Sequence, residues 1–210
     1  MHLITVSAVS LARPSTIRAG RNGRAGRWGR SVGQDGGVNA PSTTPIRVPH
    51  PERTAQVIVA STRAAAGIYT DRTGPVIDAW LIDRGWTVLG RHVVPDGDPV
   101  GAALRAAVDA GYDLVITTGG TGISPHDRTP EQTAPLLDLE LPGLMEELRR
   151  RGAASTPLAV LSRGRAGIAR GRTVIVNLPG SSGGVRDGLD VLDKVLDHIL
   201  DQLHGVDHSA

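Results

Sequence analysis

From residue 54 onward, short β-branched runs alternate with amphipathic stretches, and each run stops on a polar exit rich in Gly, Ser, Thr or Asp. Short runs of this kind read as buried strands, and the spacing of apolar residues between them is helical. Strands in such an alternation need crossover connections, so they lie parallel in one sheet with helices on both faces. The runs are Gln56–Ala60, Thr87–Val94, Asp113–Thr118 and Thr173–Asn177. Helices are predicted over Gly74–Arg84, Pro99–Ala110, Pro142–Arg151 and Val185–Leu203, with another starting at Thr129. Thr129, Pro130 and Gln132 have the order of a capping box, Thr at the N-cap and Pro at the first helical position. In the last helix Val185, Leu189, Leu192, Leu196, Ile199 and Leu203 would suit a coiled coil, but Val191, Val195 and Leu200 widen the stripe to one that packs on a sheet. The expected fold class is α/β, a three-layer, mostly parallel sheet.

In a sheet of this kind ligands bind beyond the carboxyl ends of the strands. That rule selects Ser61–Arg63, Pro95–Asp98, Thr118–Asp127 and Leu178–Ser182. In the third exit, Gly119, Gly120 and Gly122 let backbone N–H groups approach an anion, and the helix that follows adds partial positive charge. The loop has neither the Gly-Lys-Ser/Thr of a Walker A motif nor the spacing of G-x-G-x-x-G. A plain turn would not need Thr121, Ser124, Asp127 and Thr129 as well. In the fourth exit, Gly180–Gly184 satisfies the G-x-S-x-G of a hydrolase nucleophile elbow. Only 28 residues follow Ser182, however, and they read as one helix and a tail, so His198, His204 and His208 have no later strand to present them. An anion-binding turn or a helix cap is the better reading. Asp96, in the second exit, is by default a turn former. Paired with Asp127 across the strand ends, it could instead hold Mg²⁺, which takes one or two carboxylates plus phosphates and water. His126 lies inside the glycine loop and could touch substrate, and Arg149–Arg151 read as a solvated helix end.

The chain has no cysteine, which excludes disulfides, thiolate catalysis, Cys-ligated zinc and iron–sulfur clusters. No apolar run approaches the roughly 18–20 residues of a bilayer span. The net charge of +2 hides a division: residues 1–50 hold seven Arg against one acid, Asp35, and the other 16 bases face 20 acids. Apart from Leu3–Leu11, residues 1–53 have little to bury, so they read as a basic Arg/Gly-rich disordered extension. A nucleic-acid-binding arm and a targeting segment are the other readings of this stretch, a secretory signal being disfavoured by the uncharged start. Residues 54–208 form the expected domain.

Taken together, these segments resemble the molybdopterin adenylyltransferase family of molybdenum-cofactor biosynthesis, the Mog and MoaB-like proteins. The resemblance covers about residues 54–208. It is carried by Ser61–Asp71, Val94-Pro95-Asp96, the long loop Thr118–Glu131, Leu141-Pro142-Gly143, Leu161-Ser162-Arg163 and Asn177–Ser181. It implies a MogA/MoaB-like fold and Mg²⁺-dependent transfer of AMP from ATP to the phosphate of molybdopterin, with release of pyrophosphate. By the same resemblance Asp96 and Asp127 would be the catalytic pair and anchor Mg²⁺. Ser61, Thr118, Gly119, Gly120, Thr121, Gly122, Thr129, Pro130, Glu131, Ser162, Pro179, Gly180 and Ser181 would bind the substrates. The nucleophile, molybdopterin's own phosphate, is largely ionised at neutral pH, so no general base is required. A cytoplasmic homotrimer is implied, with hand-over to a molybdate-inserting enzyme and no nucleic-acid or membrane partner. The alternative is a non-catalytic molybdopterin-binding or scaffold relative of the same fold.

Overall fold

The structure, a computed structural model, describes residues 52–205. The expectations for residues 1–51 and for His208 lie outside the described residues. Helices α1 (Thr62–Ala65) and α2 (Gly74–Ile82) join strand β1 (Thr54–Ala60) to β2 (Thr87–Val94). α3 (Asp98–Ala110) then leads to β3 (Leu114–Thr118), and α4 (Thr129–Thr133) to β4 (Leu139–Glu140). α5 (Pro142–Ser155), β5 (Ala166–Ala169), β6 (Thr173–Leu178) and α6 (Ser182–Leu203) follow. The sheet runs in the order β2-β1-β3-β6-β5-β4. β2, β1, β3 and β6 are mutually parallel, while β5 is antiparallel to both β6 and β4.

The central strands are buried along nearly their whole length because both faces of the sheet are covered. On one face Val57, Ile116, Val176 and Leu178 pack with Ile77 and Leu81 of α2, Met145 and Leu148 of α5, and the Val185–Leu200 stripe of α6. On the other, Ile58, Val115 and Ile175 pack with Val100, Leu104 and Val108 of α3. Each of these large side chains contributes about 1.5–3 kcal/mol on burial, and the alternation along β1 and β3 divides them between the two layers. The α6 stripe lies on the sheet, with Val185, Leu189, Leu192, Leu196 and Leu200 buried.

Three local expectations change. β4 and β5 are not foreshadowed by the sequence pattern. β5, Ala-Gly-Ile-Ala, is strand because its backbone pairs with β6 on one side and β4 on the other. The helix from Thr129 is only five residues, continued by a 3-10 turn over Ala134–Leu136. α5 runs on to Ser155, so Arg149–Arg151 lie within it and not at its end. Arg150 and Arg151 both bond Glu147, and these hydrogen bonds, Arg150's first, hold its carboxyl down at about 2.

The topology also sets where a ligand can enter. From β1 the chain passes to β2 on one side, then crosses back to β3 on the other. The connections leaving β1 and β3 therefore diverge, and a crevice opens between their carboxyl ends.

Candidate active site

The exits of β1, β3 and β6 meet at this crevice. Gly119 N donates to Leu178 O (3.1 Å), and Thr118 Oγ1 donates to Pro179 O (2.9 Å). Gly119 and Gly120 have φ of +92° and +63°, the left-handed region that favours glycine. A Cβ on Gly119 would collide with the Ala60 carbonyl, and one on Gly120 would collide with Thr129 Oγ1 and lie only 2.8 Å from Asp96 Oδ1. Glycine here lets the backbones and Asp96 come closer than any side chain would permit.

Thr129 does not cap its own helix: the N-cap is Arg128, and no side-chain cap bond forms. Fully buried, Thr129 instead donates Oγ1 to Gly119 O (3.0 Å) and its backbone N to Gly120 O (3.1 Å), fastening the loop from beneath. Gln132, the other half of the expected capping box, reaches across to Asp98 (3.0 Å). Helix caps are made elsewhere: Ser61 Oγ accepts from Ala64 N (3.2 Å), and Ser181 Oγ from Gly184 N at the head of α6 (3.1 Å).

The outer side of the loop is held by Arg163. Its backbone N donates to Thr121 O (2.8 Å), Nε to Gly122 O (2.7 Å) and Nη2 to Asp127 O (2.6 Å), while Nη1 pairs with Glu131. Burial pushes the Glu131 carboxyl up, but the Arg163 hydrogen bond and the charges of Arg163 and Arg128 outweigh it and leave it below the usual carboxylate range.

Two cavities open on this framework. The first, about 670 Å³, is lined by Ser61, Asp96, Thr118, Gly119, Gly120, Asp127, Gly180 and Ser181, with Arg63, Tyr69, Arg72 and His126 among its other walls. The second, about 600 Å³, shares Gly119, Gly120, Asp127, Gly180 and Ser181 and adds Thr121, Gly122, Ser162 and Pro179. Its far wall is apolar, from Leu148, Leu158 and Leu161. Of the residues singled out from sequence, Thr129, Pro130 and Glu131 line neither cavity. The first two are buried beneath the loop, and Glu131 is held by Arg163.

Asp96 Oδ2 accepts from Thr62 N (3.2 Å) and Oγ1 (3.1 Å). Its other oxygen, Oδ1, is buried with no hydrogen-bond donor among the described residues. Asp127 Oδ2 accepts from Ser124 N (3.2 Å), and its carboxylate borders both cavities. Sequence reasoning passed over Arg63, Tyr69, Arg72 and Arg163. Arg63, Tyr69 and Arg163 lie in segments it had marked as motifs and Arg72 directly follows one, but nothing local distinguishes an arginine turned into a site from one that faces water.

The chain matches the family model described as "Probable molybdopterin binding domain" over residues 56–198. It is 42% identical over 157 residues to a molybdenum cofactor biosynthesis bifunctional protein of Synechococcus elongatus, covering 74% of this chain and 49% of that protein. It thus spans about half the length of that relative. It is 39% identical over 148 residues to a molybdopterin adenylyltransferase of Pyrococcus furiosus, covering 69% of this chain and 87% of the relative. Among solved structures, the molybdopterin biosynthesis Mog protein of Mycobacterium ulcerans superposes with a TM-score of 0.70 at 60% identity, over 72% of this chain and 99% of that one. With this fold, these strand exits and these relatives, the chain belongs to the Mog/MoaB-like molybdopterin-binding family of molybdenum cofactor biosynthesis.

Proposed function

We propose that the chain is a molybdopterin adenylyltransferase, moving AMP from ATP to the phosphate of molybdopterin and releasing pyrophosphate. The observation that carries this reading is the pair of cavities of similar size that share one glycine wall and the Asp127 carboxylate. Two substrates seated one in each would bring their reacting ends together at that wall. The relatives named molybdopterin adenylyltransferase support the same reading.

The residues suit a reaction that needs positioning and charge neutralisation more than proton transfer. Molybdopterin's phosphate oxygen forms the new bond to the α-phosphorus as the α–β bridging bond breaks, and the electron pair leaves on pyrophosphate. No thiol, lysine or histidine is required. The loop Gly119–Gly122 offers backbone at close range, Thr129 and Arg163 keep it in place, and the caps at Ser61 and Ser181 fix the two facing turns. Ser162, bonded to Thr121 at 3.4 Å, continues the wall of the second cavity.

A divalent cation fits the donor set. Asp96 Oδ1 is a buried carboxylate oxygen with no donor among the described residues, and Asp127 borders the same cavity. Among the described residues no group of three His, Cys, Asp or Glu could hold a metal unaided, so Mg²⁺ here would be completed by phosphate oxygens and water. When bound, Mg²⁺ would supply charge neutralisation at the phosphates. A cytoplasmic homotrimer that hands its product to a molybdate-inserting enzyme belongs to the same proposal, with residues 54–208 as the working domain and the basic extension outside the chemistry. Among the described residues no helix is long and apolar enough to cross a membrane.

The test is incubation of the protein with ATP, Mg²⁺ and molybdopterin while pyrophosphate is followed. Release that depends on molybdopterin is the expected result. Tight molybdopterin binding without any release would replace the enzyme with a binding or scaffold protein.

A further inference from the structure

Arg63 and Arg72 flank one ring at the first cavity. Their guanidinium carbons lie 5.8 and 5.7 Å from the Tyr69 centroid. The backbone around them is well tied: Ile68 N and Tyr69 N both donate to Arg63 O (2.9 and 3.2 Å), so the loop turns back on α1. Next to Arg72, Asp71 Oδ1 accepts from Thr73 N (2.9 Å), Thr73 Oγ1 (3.1 Å) and Gly74 N (3.0 Å).

Neither guanidinium pairs with a carboxylate among the described residues, although the domain uses arginine mainly for such pairs. Arg53, Arg84, Arg91, Arg163 and Arg165 are all engaged with acids. Among the described residues, Arg63 and Arg72 are also the only fixed positive charges lining the first cavity, whose other charged walls are Asp71, Asp96 and Asp127. Among the described residues, no Lys or Arg lines the second cavity. Two like charges gathered against one aromatic ring without a counter-ion among the described residues repel each other, and an anion carrying several charges relieves that repulsion. The planar donor fork of arginine matches phosphate oxygens in pairs.

We infer that Arg63 and Arg72, held on Tyr69, form the subsite for the terminal phosphates of a nucleoside triphosphate and for the pyrophosphate that leaves. This rests on the adenylyl-transfer reading and adds to it a seat for the leaving group. As the bond between the α-phosphorus and the bridging oxygen breaks, the electron pair stays on that oxygen. The charge that gathers on pyrophosphate is met by the two guanidiniums, with no proton transferred.

Calorimetric titration of the full chain with Mg-ATP, AMP and inorganic tripolyphosphate tests the inference. In the double variant Arg63→Gln/Arg72→Gln, ATP and tripolyphosphate bind about 10–100-fold more weakly, the range expected for losing charged hydrogen bonds, while AMP binding is kept. Arg63→Lys/Arg72→Lys, with charge but no fork, falls between that variant and the wild type. In turnover, KM for ATP rises and KM for molybdopterin does not. Because neither arginine holds an ion pair, the melting temperature stays at the wild-type value. Equal losses for AMP and ATP, or unchanged tripolyphosphate binding, overturn the subsite. Normal turnover in the double variant overturns it while adenylyl transfer stands. Arginine-dependent tripolyphosphate binding by a wild type that never releases pyrophosphate keeps the subsite and removes the transfer reading.

Discussion

A cavity opens at each end of the sheet, and the two differ in what their polar groups do. At the amino end a space of about 530 Å³ is lined by Arg53, Thr54, Asp113, Arg172, Asp201 and His204. Apart from Glu52, which also lines it, its charged groups are engaged. Asp113 Oδ2 accepts from Thr54 N (2.9 Å) and Oγ1 (3.0 Å), and Oδ1 faces Arg172 at 3.6 Å. Arg53 bridges to Asp197 and to Asp201, the latter at 2.9 Å. At the carboxyl end the first cavity is about 670 Å³, yet among the described residues Asp96 Oδ1 has no donor and Arg63 and Arg72 have no acid. Volume alone would not rank these two ends. What separates them is polar capacity left unsatisfied, which costs stability where it stands and persists where a ligand completes it.

That contrast can be broken by substitution. The largest effect is expected at Asp96 and Asp127: Asp96→Asn or Asp127→Asn lowers pyrophosphate release by about 10²–10³-fold, the range of a lost electrostatic stabiliser. For Asp96→Asn thermal melting stays near wild type, since Asp96 Oδ1 has no partner to lose among the described residues. Unchanged turnover in both variants would remove the metal pair. Next comes Arg163→Gln, which frees the loop from three side-chain bonds without touching either cavity's lining; kcat falls about tenfold through lost positioning, and full activity would show that Thr129 and the backbone hydrogen bonds hold the loop without the guanidinium. The amino end should answer in the opposite currency. Arg53→Gln removes the buried guanidinium that bridges Asp197 and Asp201 and costs about 1–3 kcal/mol, read as a lower melting temperature with kcat intact. A fall in kcat there would erase the distinction between the two ends.

The smallest effect concerns pH. The folded-state pKa of Glu131 lies below its ordinary 4.5, so its pair with Arg163 stabilises fully above 4.5 and weakens as pH falls through the lower folded value. The melting-temperature gap between wild type and Glu131→Gln should therefore be present at neutral pH and close in acid. A gap that widened in acid would contradict the sign of the shift. Being exposed, this pair contributes little either way.

Much of the fold was legible because burial leaves a local signature. Asp113–Thr118 and Thr173–Asn177 read as strands from their β-branched runs, and the 185–203 stripe as a helix packed on a sheet. β4 and β5 were not legible: Leu139–Glu140 is two residues long, and Ala166–Ala169 is too small and featureless for a period to show. Their strand geometry comes from pairing with neighbours. The glycine loop and both aspartates stood out as unusual residues at strand exits. Thr129 was placed correctly in sequence and wrongly in role, because a cap is a local bond whereas its partners, the Gly119 and Gly120 carbonyls, lie ten and nine residues back.

By itself, then, the amino-acid order determined the alternation of strands and helices, the side of the sheet on which a site forms, and the residue types gathered there. Tertiary structure alone decided which polar groups meet. Asp96 reaches Thr62 across 34 residues and Arg163 reaches Gly122 across 41. Hydrophobic periodicity repeats within a few residues and survives in a linear reading. Hydrogen-bond satisfaction depends on atoms brought together from distant segments, so only the folded chain shows that Arg53 is engaged while Arg63, Arg72 and one oxygen of Asp96 have no such partner among the described residues.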